Sequence, residues 1–340
     1  MWNVLHERRY RKEIGVYQKF IIIKNENMPK VSVIIPVYRC RDYIGRCIES
    51  LQKQTIADIE IIFVNDCTPD DSVDIIKHYM QYDSRISIIN HSRNKGPMMA
   101  RYNGYSVAKG DYITFMDSDD TLPCDSLKTL FDKAEKSNAD IVSGTVEYIK
   151  DNGEREMLDN SLENGNDIEQ VFKSMLTNRF KQNLCSRLFK RSLLQDYSYK
   201  NYENMRNGED GLLFYQIVAN CSSIVTIKDV VYEYWQNKES SSQRKFSEQQ
   251  MDSYFFTCKE QFLITNKYER LEKYAQQFLV RSFVLLYAKG YSRKFIQRYV
   301  NKYGLSDYVS YYSFYKLFPL KIAIKYSIQK LLCPIFRKIK

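Results

Sequence analysis

The chain has 340 residues, 44% of them hydrophobic and 27% charged, with only 12 Gly and 7 Pro, a balance that excludes disordered, collagen-like and low-complexity classes. Lys and Arg total 51 against 41 Asp and Glu, and the formal charge of +10 favours anionic partners such as nucleotides or phospholipid surfaces. No apolar run approaches the roughly 20 residues that span a bilayer, so the protein is expected to be soluble or peripheral, with one large domain or a domain plus an extension.

The eight cysteines (40, 47, 67, 124, 185, 221, 258, 333) contain no C-x-x-C pair and no Cys/His cluster, which reads as reduced thiols rather than a zinc site or disulfide framework. With only three His, the chemistry of an enzyme here would fall to carboxylates. Residues 1–28 begin with Arg8, Arg9, Arg11 and Lys12 and turn briefly apolar. They lack the apolar core and cleavage site of a signal peptide and are expected to be an extension outside the fold, added by an upstream start.

From Val31 the pattern alternates. Residues 31–37 are a β-branched run ending near Pro36, a buried strand. In 41–54, Ile44, Cys47, Ile48 and Leu51 form the stripe of an amphipathic helix. Strands are predicted over 59–64, 86–89, 111–116 and 140–148, and helices over 70–82, 97–108 and 123–137, with Asp70 and Asp71 at the electropositive start of the first of these. Such alternation gives a Rossmann-like α/β fold, a three-layer α/β/α arrangement around a mostly parallel sheet, with ligands beyond the carboxyl ends of the strands.

Three strand ends carry candidate chemistry. After the first strand there is no G-x-G-x-x-G, and Tyr38 can stack on a base or simply pack. After the second, Asp66 can accept hydrogen bonds from a base or ribose, or serve as an ordinary turn residue. After the fourth come Asp117, Ser118, Asp119 and Asp120, three carboxylates whose mutual repulsion a divalent cation would relieve. Capping of the next helix by Asp120 accounts for one of them only.

In this order and spacing, residues 31–38, Asn65-Asp66, Asn94–Gly96, Ala100-Arg101, Gly104, Ala108–Ile113 and Asp117–Asp120 resemble family 2 glycosyltransferases over about 30–147. The resemblance implies a GT-A fold and an inverting, nucleotide-sugar-dependent enzyme. It implies that Asp66 binds the base, that Pro36 and Tyr38 line the nucleoside pocket, and that Asp119 is the principal ligand of Mn²⁺ or Mg²⁺. It places Asp117 at the ribose or metal and Ser118 among the residues that bind the nucleotide-sugar. Arg101 matches the family's Ala-Arg pair, where substrate contact and an internal pair with a strand-end carboxylate both stay open. Departures are Cys67-Thr68 for the usual Gly-Ser and Tyr102 for the usual Asn.

Residues 150–166 are polar and read as a loop dividing a nucleotide-sugar half, 29–148, from an acceptor half, 149–240. Lys190 and Arg191 read as phosphate contacts or a solvated basic end. Glu209 and Asp210 open a helix through Val218, where acids commonly just complement the dipole. By the resemblance, Asp210 is instead the catalytic base, with Glu209 its supporting neighbour. A strand over 224–234 leads to a loop in which Trp235 could stack on a sugar and Lys238 replaces the family's Arg or His.

Residues 241–340 are expected to be a helical, basic extension. After Asp307 there is no further acid, while Leu317, Leu320, Ile324, Ile328, Leu331 and Ile335 recur at helical spacing, as in a helix at an anionic membrane surface. The expectation is therefore a cytoplasmic protein peripheral to the cell membrane. Its donor would be UDP-linked, its acceptor a saccharide or lipid-linked saccharide in cell-surface polysaccharide synthesis, and nucleic acid is not among its expected partners. Two rivals are a sugar nucleotidyltransferase, which should carry a Gly-rich basic loop after the first strand, and an inactive scaffold, which would need none of the four key aspartates.

Overall fold

The computed structural model describes residues 28–195, 205–236 and 245–308. Strands β1 (Val31–Val37), β2 (Ile59–Asn65), β3 (Ile86–Asn90) and β4 (Tyr112–Phe115) are mutually parallel, in the spatial order β3-β2-β1-β4. The connecting helices are α1 (Ile44–Gln52), α2 (Ser72–Met80) and α3 (Pro97–Val107), and α4 (Ser126–Ser137) follows β4. Along β1, Val31, Val33, Ile35 and Val37 enter the core beneath α1 and α2, whereas Ile34 joins the core on the other face. This is the alternation of a strand buried on both sides.

Beyond β4 the sheet changes character. β7 (Arg187–Lys190) runs antiparallel between β4 and β5 (Ile141–Ile149), so a strand from about 40 residues downstream joins the two. β8 (Ile224–Trp235) lies parallel to β5 along its whole length, with a register shift near Thr145. The predicted loop over 150–166 is not all loop: β6 (Arg155–Leu158) turns back as a hairpin on the end of β5. Its residues are largely exposed, which hides the alternation that marks a strand with one buried face.

The C-terminal region is helical as expected. α5 (Ile168–Leu176) and α6 (Glu209–Asn220) cover the second face together with α7 (Glu248–Thr265), α8 (Glu272–Ala288) and α9 (Arg293–Lys302). They share one continuous apolar core with Ile34, Ile113 and Ile141 of the sheet, so these described helices pack on the body. Ser247 caps α7 in a reciprocal box with Gln250, which fixes where that helix begins. Among the described residues no helix is long and apolar enough to cross a membrane. The expectations for residues 1–27, for Lys238 and for the basic stripe after 308 lie outside the described residues.

Candidate active site

The parallel register brings three strand tips together. Val37 pairs with Asn65, Asp66 N–H donates to Val37 O at 3.0 Å, and Met116 N–H donates to Ile34 O at 3.1 Å. Asp66 and Asp117 therefore flank the end of β1, and Tyr38 projects there into solvent, its ring near the Arg39 guanidinium.

Asp66 is no ordinary turn residue. It is buried, and its carboxylate accepts from Lys95 N–H at 2.7 Å and Gly96 N–H at 2.8 Å, with His91 Nδ1 at 2.8 Å. The far nitrogen of His91 lies 2.8 Å from Asn103 Nδ2, so the ring orients Asp66 from behind. Cys67 next to it has φ of 58°, a left-handed backbone that glycine adopts most readily. Cys67 keeps that conformation, so the departure alters the side chain and not the turn.

Arg101 ties the site together. It is only 3% exposed, on the sheet-facing side of α3, and its Nη2 donates to Asp117 Oδ1 at 2.9 Å. Its Nη1 lies 2.7 Å from Asp210 Oδ1 as an ion pair without the alignment of a hydrogen bond. Burial pulls the guanidinium pKa down, but Asp210 and Asp117 outweigh it and leave it raised. Of the two readings open for Arg101, this geometry is the internal pair, and it joins carboxylates 93 residues apart in sequence.

Glu209 and Asp210 occupy the first turn of α6, whose preceding Gly208 has φ of 82°. Burial, then the charge of Asp210, pushes Glu209 up to about 7, and burial raises Asp210 as well, opposed by Arg101. Asp210 keeps 31% of its side chain exposed, so it is both held and reachable.

Of the three adjacent carboxylates, Asp120 turns inward. It is fully buried and accepts from Tyr232 O–H at 2.6 Å and Trp235 N–H at 2.9 Å, which pins the end of β8 to the β4 tip. Helix capping is thus not its role: α4 begins six residues later. Burial first, and then the charges of Asp117 and Asp119, hold the Asp120 pKa well above the carboxylate range.

Those charges are also the test for a metal. Asp117 and Asp119 supply hard oxygen donors in a negative field, but among the described residues no group of three or more acidic, His or Cys side chains forms a cage. That set suits Mn²⁺ or Mg²⁺ held by one or two carboxylates and completed by substrate phosphates and water.

Other candidates fall elsewhere. Lys190 pairs with Asp140 at 3.7 Å, and Lys190 is in register with Tyr112, the start of β4, so Lys190 and Arg191 lie at the opposite end of the sheet from Asp117. The Trp235 indole N–H donates to Thr121 Oγ1 at 2.8 Å, and Arg46 lies 4.4 Å from the ring centroid. Arg46 also donates to the Asp119 carbonyl at 3.2 Å. No sequence pattern marked Arg46, His91 or Tyr232: the aspartates they contact, Asp119, Asp66 and Asp120, lie 25 to more than 100 residues away.

Comparison with known proteins decides the family. The model of glycosyl transferase family 2 matches residues 32–198. Residues 32–198 form a glycosyl transferase family 2 domain. The chain is similar to the glycosyltransferase EpsJ of Bacillus subtilis, 32% identical over 218 residues, 63% of each chain, so the match spans under two thirds of that relative. It is likewise 32% identical over 170 residues to a GalNAc(5)-diNAcBac-PP-undecaprenol beta-1,3-glucosyltransferase of Campylobacter jejuni, covering 50% of this chain and 54% of that one. Among solved structures, Staphylococcus aureus TarS residues 1–349 with UDP-GlcNAc superposes with a TM-score of 0.66 at 17% identity, over 82% of this chain and 80% of that one. The fold is the GT-A fold that the family resemblance implied. Glu209 and Asp210 lie beyond the residues that the family model matches.

Proposed function

We propose that this chain transfers a sugar from a UDP-linked donor to a hydroxyl of a saccharide or lipid-linked saccharide, with inversion, in the assembly of a cell-surface polysaccharide. The observation that carries the reading is Arg101, which holds Asp117 of the strand tips and Asp210 of α6 on one guanidinium. On this reading one buried group links a nucleotide-side carboxylate to the base. UDP-GlcNAc in the similar TarS structure supports a uridine donor, and the undecaprenol-linked substrate in the Campylobacter relative's name supports a lipid-linked acceptor.

Asp66 spends three of its four acceptor positions internally, and the remaining one on Oδ2 serves a base N–H. Tyr38 and Pro36 cover the base, and Ser118 lies between the two outer carboxylates. Asp119, with Asp117, would hold Mn²⁺ or Mg²⁺, which supplies charge neutralisation for the departing diphosphate. Asp210 takes the proton of the acceptor hydroxyl as that oxygen attacks the anomeric carbon from the face opposite the diphosphate. Glu209 keeps its negative charge low beside Asp210 at neutral pH. The basic residues after 308 bring the protein to an anionic membrane surface, where a lipid-linked acceptor resides.

The test is nucleoside diphosphate release from a panel of nucleotide sugars with Mn²⁺ or Mg²⁺ and with EDTA. Turnover of one donor that needs the metal and is lost in Asp119→Ala and Asp210→Asn is expected. Donor binding that ignores metal, with no turnover of any sugar, would transfer the case to an inactive scaffold. Sedimentation with anionic liposomes tests the membrane contact, and equal binding without residues 308–340 would reject it.

A further inference from the structure

Around the first turn of α6 polar atoms are buried without partners. Asn207 Nδ2 and Thr257 Oγ1 both lack hydrogen bonds, and Thr257 is only 4% exposed. Native proteins rarely leave such groups unpaired unless something else completes them.

α7 presents a polar stripe to that turn. Ser253, Thr257, Gln261 and Thr265 recur every four residues and are all buried. Ser253 Oγ accepts from Arg206 N–H at 3.2 Å, and Thr257 packs where a side chain on Gly208 would come within 3.0 Å of its Oγ1. Gln261 Nε2 donates to Gln182 Oε1 at 3.0 Å, and both amides sit where a Cβ on Gly211 would meet them at 2.9 and 3.0 Å. Glycine at 208 and 211 is what lets α7 and the 178–186 loop reach the residues on either side of Glu209-Asp210.

Gln182 is thereby fixed in orientation. Its Oε1 is used by Gln261, which is 3% exposed, while its Nε2 has no partner among the described residues and is not sealed from solvent. A free amide N–H is held beside the residue that follows Asp210.

We propose that Gln182 is an acceptor-specificity residue, held by Gln261 of α7, that donates to an oxygen neighbouring the attacked hydroxyl of a sugar acceptor. The proposal rests on the glycosyltransferase reading and extends it to the acceptor. The lining is amide and hydroxyl: Gln182, Asn207 and Thr257. The one guanidinium at Asp210 is committed to two carboxylates, so the surface fits neutral vicinal hydroxyls rather than a phosphate. The helical C-terminal region then contributes to acceptor choice.

The experiment uses the full chain, the donor identified by diphosphate release, and p-nitrophenyl glycosides of glucose, galactose, N-acetylglucosamine and N-acetylgalactosamine in both anomers as acceptors. Wild type, Gln182→Leu and Gln261→Met are compared for donor hydrolysis in water and for transfer. Removing one hydrogen bond should raise the acceptor KM about tenfold in Gln182→Leu. Gln261→Met, which frees Gln182 without touching the acceptor, should raise it about threefold, roughly the loss of half a hydrogen bond. Donor KM and donor hydrolysis should stay within about twofold in both, a split that general loosening of the fold would not produce. Equal losses in hydrolysis and transfer, an unchanged acceptor KM, or donor hydrolysis by wild type with transfer to none of these glycosides would overturn the proposal. No diphosphate release by wild type from any donor would instead remove the glycosyltransferase reading, and this inference with it.

Discussion

Arg101 permits a test of the site that needs no substrate. Its guanidinium is buried, while the two carboxylates it holds, Asp117 and Asp210, keep 37% and 31% of their side chains exposed. Replacing either carboxylate by Asn leaves the other in place, and solvent already screens each pair, so each single variant should cost about 1 kcal/mol. The double variant Asp117→Asn/Asp210→Asn leaves a buried guanidinium with no counter-charge in contact, a state that typically costs about 3–5 kcal/mol. Asn retains an oxygen that can accept a hydrogen bond, which keeps the expectation at the lower end. The two substitutions should therefore be coupled by about 1–2 kcal/mol. Urea unfolding of the four proteins, with equal m-values as the check on two-state behaviour, measures this directly. Additivity within about 0.5 kcal/mol would show that Arg101 does not depend on the pair, and the bridge between strand tips and α6 would lose its energetic basis.

Glu209 carries a pH signature. Its pKa is raised from 4.5 to about 7, so the native state holds a proton that the unfolded chain releases. That stabilisation is complete below about pH 4.5 and is lost as pH rises through 7, so the stability of wild type relative to Glu209→Gln should fall by about 2–3 kcal/mol from pH 4.5 to 8. A difference independent of pH would refute the shift. Asp120→Ala strands the Tyr232 hydroxyl and Trp235 N–H and should cost about 2–4 kcal/mol, with a change in fluorescence from Trp235, one of only two tryptophans; a neutral substitution would mean that Asp120 does not pin β8. Cys67→Gly relieves a left-handed residue but adds chain entropy, so its stability should lie within about 1 kcal/mol of wild type. A larger loss by thermal or urea unfolding would show that the thiol itself is held.

How much of this was legible in the sequence depended on whether the signal was local. β1 to β4 and the helices between them are written in short-range periodicity, and their boundaries agree with expectation to within a few residues. The tip carboxylates were legible because each directly follows a strand. β6 was not, since its exposed side chains show no alternation, and the placement of β7 depends on a pairing with Tyr112 some 75 residues earlier. Asp120 looked equivalent to Asp117 and Asp119 in sequence, and only the approach of Tyr232 separates them. The same holds for Asp66, whose donors at 91, 95 and 96 are gathered by the fold.

The antiparallel insertion of β7 bears on how such chains can be recombined. A crossover placed between β4 and Arg187 would take the sheet's middle strand from one parent and its neighbour β4 from the other. The Tyr112–Lys190 and Ile113–Phe189 pairings would then have to be re-formed between sequences that never evolved together. Hybrids that exchange donor for acceptor preference should therefore survive best when the joint follows residue 190, with β1 through β7 inherited as a block and α6 onward exchanged. In that arrangement Asp210 would arrive from the second parent and meet Arg101 of the first, so this ion pair must be preserved across the joint together with the β5–β8 pairing and the Asp120 bonds to Tyr232 and Trp235.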